Sequence, residues 1–95
     1  MRKYELMYII RPSVEPEAIK DIIANLNNVI TNHGGNILEL KEIGLKDLAY
    51  EIEKHKKGYY VWLLVEMTID AINEYKRIIS INENIIRNIE VKLGE

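Results

Sequence analysis

Cysteine is absent from this chain of 95 residues, proline occurs twice, glycine five times and tryptophan once. Without cysteine, a disulfide scaffold and thiol chemistry are both excluded, which suits a reducing cytosol. Scarce proline and glycine leave no low-complexity or linker-like stretch. A single domain over residues 1–95 is therefore expected, large enough to bury a core yet only modestly stable. No apolar run reaches the ~18 residues a membrane span needs, and the opening MRKYELMYII is too short and too polar for a secretory signal. The expected location is cytoplasmic. An excess of positive charge is missing too: 13 Lys and Arg against 15 Asp and Glu leave a net charge of −2. Any contact with nucleic acid must then use a local patch, because the global field is not attractive.

What is present is a clean switch of hydrophobic periodicity between the strand and helix repeats. In KYELMYII, residues 3–10, Tyr4, Leu6, Tyr8 and Ile10 share one face and Glu5, Met7 and Ile9 the other, which predicts a strand that Pro12 ends. Ile19, Ile22, Ile23, Leu26, Val29 and Ile30 recur at helical spacing. They predict a helix over 15–33, roughly 28 Å long at 1.5 Å per residue. Ser13 is its expected cap, Pro16 is tolerated in a first turn, and Glu15, Glu17 and Asp21 suit the positive end of the dipole. Gly34 and Gly35 stop the helix, one of them in the left-handed conformation.

NILELKEIGLKDLAYEIEK follows as a long extended segment, and Gly44 breaks its alternation as a bulge would. HKKG, residues 55–58, reads as a hairpin loop leading into a strand over 59–67. A second helix is predicted over 70–80, capped by Thr68 or Asp70, with Ala71, Ile72, Tyr75, Ile78 and Ile79 inward. INEN makes a turn, and IIRNIEVKL is the last strand, with Ile89, Val91 and Leu93 alternating. The order is β-α-β-β-α-β, two strand–helix–strand halves. Right-handed crossovers make that an α+β ferredoxin-like sandwich of four antiparallel strands with both helices on one face.

The strand over 59–67 carries large side chains on both of its faces. Tyr59, Val61, Leu63, Val65 and Met67 are expected to face the helices, leaving Tyr60, Trp62, Leu64 and Glu66 on the uncovered side. The first strand, its expected neighbour at the sheet centre, adds Glu5, Met7 and Ile9 to that side. Strands ~4.8 Å apart and roughly 20 Å long give an open face on the order of 400 Å². An apolar centre on such a face marks a docking surface for a partner, with Met7, Ile9, Tyr60, Trp62 and Leu64 as its residues.

Chemistry-bearing residues are few. Ser13 and Ser80 stand at helix ends, where capping explains them. His33 falls in a helical last turn and suits the dipole there, and His55 belongs to a basic hairpin. The two histidines lack ligand spacing, so no metal and no cofactor is expected. Glu51 and Glu53 alternate as surface charge does, and the glycine pair at 34–35 lacks the following helix start of a phosphate loop. No enzyme is read here.

KGYYV partly matches the RNA-recognition-motif signature and falls on the third strand of the right topology. The match fails in detail, because Tyr60 replaces the small residue and Val61 the second stacking aromatic. The base-stacking positions, Tyr59 and Val61, also belong to the core-facing side. What remains for nucleic acid is a set of cations in strand ends and loops: Arg2, Lys3, Lys46, Lys54, Lys56, Lys57, Arg87 and Lys92. These are the candidate phosphate contacts.

Three blocks then resemble the bacterial small-subunit ribosomal protein six family over nearly the whole chain. MRKYELMYIIRP is similar to that family's opening M-R-x-Y-E followed by a strand and a proline. GLKDLAYEIEKHKKGYYVWLLVEM is similar to its G-x-[RK]-x-L-A-Y-x-I-x-K…G-x-Y block, and NENIIRNIEVK to its closing N-x-[VI]-[LI]-R segment. The resemblance implies a ferredoxin-like, ribosome-associated structural protein. It implies pairing with small-subunit ribosomal protein eighteen, and joining the central domain of small-subunit ribosomal RNA as that heterodimer. It also singles out Arg2, Lys3, Lys46 and Arg87 for RNA contact, and a structural role for Tyr4 and Glu5. Asp47 stands where many members carry a second basic residue, which weakens that loop as a phosphate site, and the chain ends at Glu95 without the tail some members have. Two rivals are a ferredoxin-like module that self-associates through the open face and a small acylphosphatase-like enzyme. The second is opposed by the acidic RPSVEPE after the first strand, where cations and glycines are wanted.

Overall fold

A computed structural model describes residues 1–94; Glu95, on which the missing-tail expectation falls, lies outside them. The elements run β1 (Arg2–Ile10), α1 (Pro16–Asn32), β2 (Asn36–Ile52), β3 (His55–Met67), α2 (Ile69–Ile81) and β4 (Ile85–Lys92). The strands form one sheet in the order β2-β3-β1-β4, with every neighbouring pair antiparallel. This is the predicted ferredoxin-like βαββαβ arrangement.

The alternation in β1 and β3 places the core as expected. Leu6, Tyr8, Ile10, Val61, Leu63 and Val65 are completely buried, and they meet Ile19, Ile22, Leu26 and Ile30 of α1 and Ala71, Ile72, Tyr75 and Ile79 of α2 in one cluster. Burying a side chain of this size stabilises by ~1.5–3 kcal/mol. Tyr59, at the edge of the same face, stays half-buried.

The helix ends differ in detail from the sequence reading. Pro16 opens α1, but Glu15 is the cap residue and makes no side-chain cap bond, so Ser13 does not cap. The fixed φ of Pro16 and its missing N–H do that work instead. Gly34 takes the left-handed conformation at φ 87°, and the Gly35 N–H donates to the Ile30 carbonyl at 2.9 Å to close the helix. Thr68 is the cap of α2: its hydroxyl accepts from the Ala71 N–H at 3.0 Å and donates to the His33 carbonyl at 2.7 Å. That hydroxyl ties the start of α2 to the end of α1.

The hairpin differs more. HKKG is not a loop: His55 pairs with Ile52, so the turn consists of Glu53 and Lys54, both left-handed at φ 48° and 69°. Two central residues with positive φ make the twist-compatible hairpin turn, here without the usual Asn-Gly signal. The strands therefore run on to the tip. In β2 the register shifts between Glu42 and Gly44, the expected bulge, and also between Ile37 and Glu39 and between Asp47 and Ile52. Each slip re-aims the following residues.

Candidate functional site

Cross-strand partners share a sheet face, so the register gives the uncovered face row by row. The central row runs Lys41, Trp62, Met7, Ile89 across all strands. On one side of it lies the row Glu39, Leu64, Glu5, Val91, and beyond that Glu66 opposite Lys3. On the other side lies the row Gly44, Tyr60, Ile9, Arg87.

The two ends of this face are finished differently. At the Ile9 end the tip of the β2–β3 hairpin curls back over the sheet. Leu48, Tyr50 and Ile52 there line a hollow of about 230 Å³ together with Ile9, Tyr60 and Ile89. Gly58 permits the approach, because a Cβ at that position would run into the Cγ2 methyl of Ile9 and lie 3.5 Å from Leu48. The Arg87 guanidinium stacks 5.5 Å from the Tyr50 ring and holds the tip down from the β4 side. Ile9 is consequently only 6% exposed, which removes it from the predicted docking residues: the chain's own hairpin covers it.

Toward the other end none of the described residues covers the face. Met7, Trp62 and Leu64 are half-buried only by their neighbours, and Lys41 lies 5.5 Å over the indole ring. A shallow depression of about 260 Å³ opens between Trp62, Met7, Glu5, Ile89 and Val91. Ile89 and Val91, each 46% exposed, extend the apolar surface onto β4. Their alternation was visible in the sequence; their face was not, because it depends on the β1 register that sets Ile89 opposite Met7. The helix-facing side of β4 carries Glu90 instead, 4.0 Å from the Lys76 ammonium.

The candidate phosphate contacts do not form one patch. Arg2, Lys3 and Lys92 gather where β1 begins, and Lys46, Lys54, Lys56, Lys57 and Arg87 where β1 ends and the hairpin turns. The length of β1 separates the groups by roughly 27 Å at 3.4 Å per residue. That is several Debye lengths of ~8 Å at physiological salt, so the groups act independently in solution. Lys57 lies 3.7 Å from the Asp47 carboxylate, its cross-strand partner, so Asp47 offsets part of the hairpin charge.

Tyr59 does not stand ready to stack on a base. Its hydroxyl donates to Glu42 at 2.8 Å, and that bond, with some burial, keeps the phenol protonated above its ordinary range. Val61 is buried outright. His33 donates from Nδ1 to the Val29 carbonyl at 2.8 Å, which occupies it at the helix end.

Set against known proteins, residues 3–92 match a family model described as Ribosomal protein S6. The chain is 67% identical over its full length to the small ribosomal subunit protein bS6 of Acholeplasma laidlawii, and covers all of that protein. It is 52% identical to the protein of the same name from Shouchella clausii, over 97% of each chain. A crystal structure of 30S ribosomal protein S6 from Thermotoga maritima superposes with a TM-score of 0.92 at 26% identity, covering 97% of this chain and 87% of that one.

Proposed function

The chain belongs to the ribosomal protein S6 family, and from that we propose that it joins the central domain of small-subunit ribosomal RNA as a heterodimer with small-subunit ribosomal protein eighteen. The family is a structural constituent of the small ribosomal subunit and not an enzyme. The protein acts as one domain, ribosome-associated in the cytoplasm. The observation that carries the reading is the bare, apolar half of the sheet face around Trp62, which a monomer has no reason to keep. The partner protein docks there, on Met7, Trp62 and Leu64, with half-buried Tyr60 at the margin toward the hairpin and Ile89 and Val91 extending the surface.

The RNA meets the cations at the two sheet ends, Arg2, Lys3 and Lys92 at one and Lys46, Lys54, Lys56, Lys57 and Arg87 at the other. Their spacing suits two separate stretches of backbone, and with few aromatic platforms for unpaired bases, RNA shape is read more than sequence. The test is binding of the purified protein to a central-domain RNA fragment, with and without protein eighteen, at two salt concentrations. Binding that needs the partner and weakens as salt rises supports the proposal. Lys46→Ala should then lower the salt slope by about one phosphate contact. Absence of binding under every condition, with self-association of the pure protein in sedimentation, replaces the proposal by the self-associating module.

A further inference from the structure

We propose that the bare half of the open face is a socket for a cationic protein segment, which seats an apolar side chain beside Trp62 and directs a lysine or arginine at Glu5 and Glu66. This rests on the reading that a partner protein docks on this face, and adds the chemistry of the segment that does so.

The depression is bounded on its apolar sides by Met7, Trp62, Ile89 and Val91, and Glu5 forms its remaining wall. Glu5 is opposite Leu64, and Glu66 is one pleat further along β3, opposite Lys3. The two carboxylates are thus diagonal neighbours on one face, about 7–8 Å apart at their Cα atoms. Both are half-buried. Among the described residues neither has a hydrogen bond or an ion pair, whereas Glu39 in the same rows is held 3.6 Å from Lys41. A carboxylate on this face that no described cation pairs with leaves its charge available, so a cation brought to it by a docked segment makes a charge-assisted contact.

The same charges select among occupants. A phosphate backbone laid in the depression would meet Glu5 in its wall, while the RNA-suited cations lie outside the depression, Lys3 among them at the sheet end opposite Glu66. A second copy of this chain in a two-fold face-to-face contact repeats the carboxylates on both sides. A cationic protein segment meets neither objection, and its charge adds to on-rate and register as well as to affinity.

Protein eighteen is the probe. It is titrated by calorimetry into the wild-type chain, the double variant Glu5→Gln/Glu66→Gln, and the control Glu83→Gln, whose exposed carboxylate lies in the turn before β4. The expected result at low salt is a loss of about tenfold or more in affinity for the double variant and none for the control. The difference should shrink as salt rises, since screening removes from the wild type what the variant already lacks. Wild-type binding that the double variant matches at both salts overturns the socket and leaves the docking face standing. A wild-type chain that fails to bind the probe at all removes both. Concentration-dependent self-association that Trp62→Ala abolishes, with no binding of the probe, assigns the face to a second copy and overturns the proposal.

Discussion

Leu63 and Leu64 are adjacent in β3, identical in chemistry, and separated only by the pleat. Leu63 is wholly buried in the cluster with both helices, and Leu64 is half-covered on the part of the other face that the described residues leave bare. One face of the strand serves the fold, and the other is the face proposed to dock a partner. The largest effect should come from breaking that asymmetry with the same deletion on each side. Leu63→Ala is expected to cost about 3 kcal/mol, because it opens a cavity between sheet and helices. Leu64→Ala should cost under ~1.5 kcal/mol in urea unfolding, since most of its contacts are with neighbours on a surface. Partner affinity should move the opposite way: unchanged for the folded fraction of Leu63→Ala, lowered by Leu64→Ala and lowered further by Trp62→Ala. Equal losses of stability for the two leucines would mean that Leu64 belongs to the core and that the open face is not a docking surface.

A second contrast lies within the open face, between the end that the hairpin covers and the end that is bare. Gly58 controls it. In Gly58→Ala the added Cβ runs into the Ile9 methyl, so Ile9 has to give way under the tip, while Leu48 lies at ordinary contact distance. Overpacking of this kind costs typically ~1–3 kcal/mol. Hydrogen exchange of the amides of residues 46–57 should quicken as the tip lifts away from Arg87 and Tyr60, while the amides of β1 beside Met7 stay protected. If exchange quickens uniformly over the sheet, the hairpin is no separable cover, and the division of the face into two ends is lost.

The fold was legible because its elements carry strong periodicity. β1, β3 and both helices could be read from apolar spacing alone, and the ferredoxin-like sandwich followed from the handedness of the crossovers. The hairpin was not legible in the same way. Its turn, Glu53 and Lys54, contains neither glycine nor asparagine, and so charged residues stand where the conformation calls for φ above zero. With the turn placed late, the curl of the tip over Ile9 could not be foreseen, and Ile9 passed for a surface residue. Ser13 was read as a cap from its type alone, and proline took that place. On β4 the pattern of Ile89 and Val91 was plain, but an alternation does not say which side is inside. Only pairing with β1 decides that, and helix-facing Glu90 shows that the inner side of an edge strand need not be the apolar one. The candidate cations could be named from the sequence, yet their division between two ends belongs to three dimensions, and Lys41, over Trp62 on the open face, was not among them.

The last test concerns how clean the covered face is. It contains two phenols, Tyr8 and Tyr75, both fully buried, whose hydroxyls have no hydrogen-bond partner among the described residues. Burial is the main reason that both phenols are pushed far above their ordinary value of 10.0; for Tyr75 the neighbouring Tyr8 and Glu90 add to it. Tyr75→Phe removes a desolvated hydroxyl and keeps the ring, so it should stabilise the protein by about 1 kcal/mol. That corresponds to a rise in melting temperature of roughly 4–8 °C for a domain of this size. The pH dependence has a definite sign. Above about pH 10 the unfolded chain releases the Tyr75 proton and the folded chain keeps it, so wild-type stability falls as pH rises and the advantage of Tyr75→Phe widens. Urea melts at pH 7 and pH 10.5 measure both quantities. A variant less stable than wild type at pH 7 would show that the hydroxyl is bonded inside the core, to a buried water, and that the helix-facing side is held by more than apolar contact.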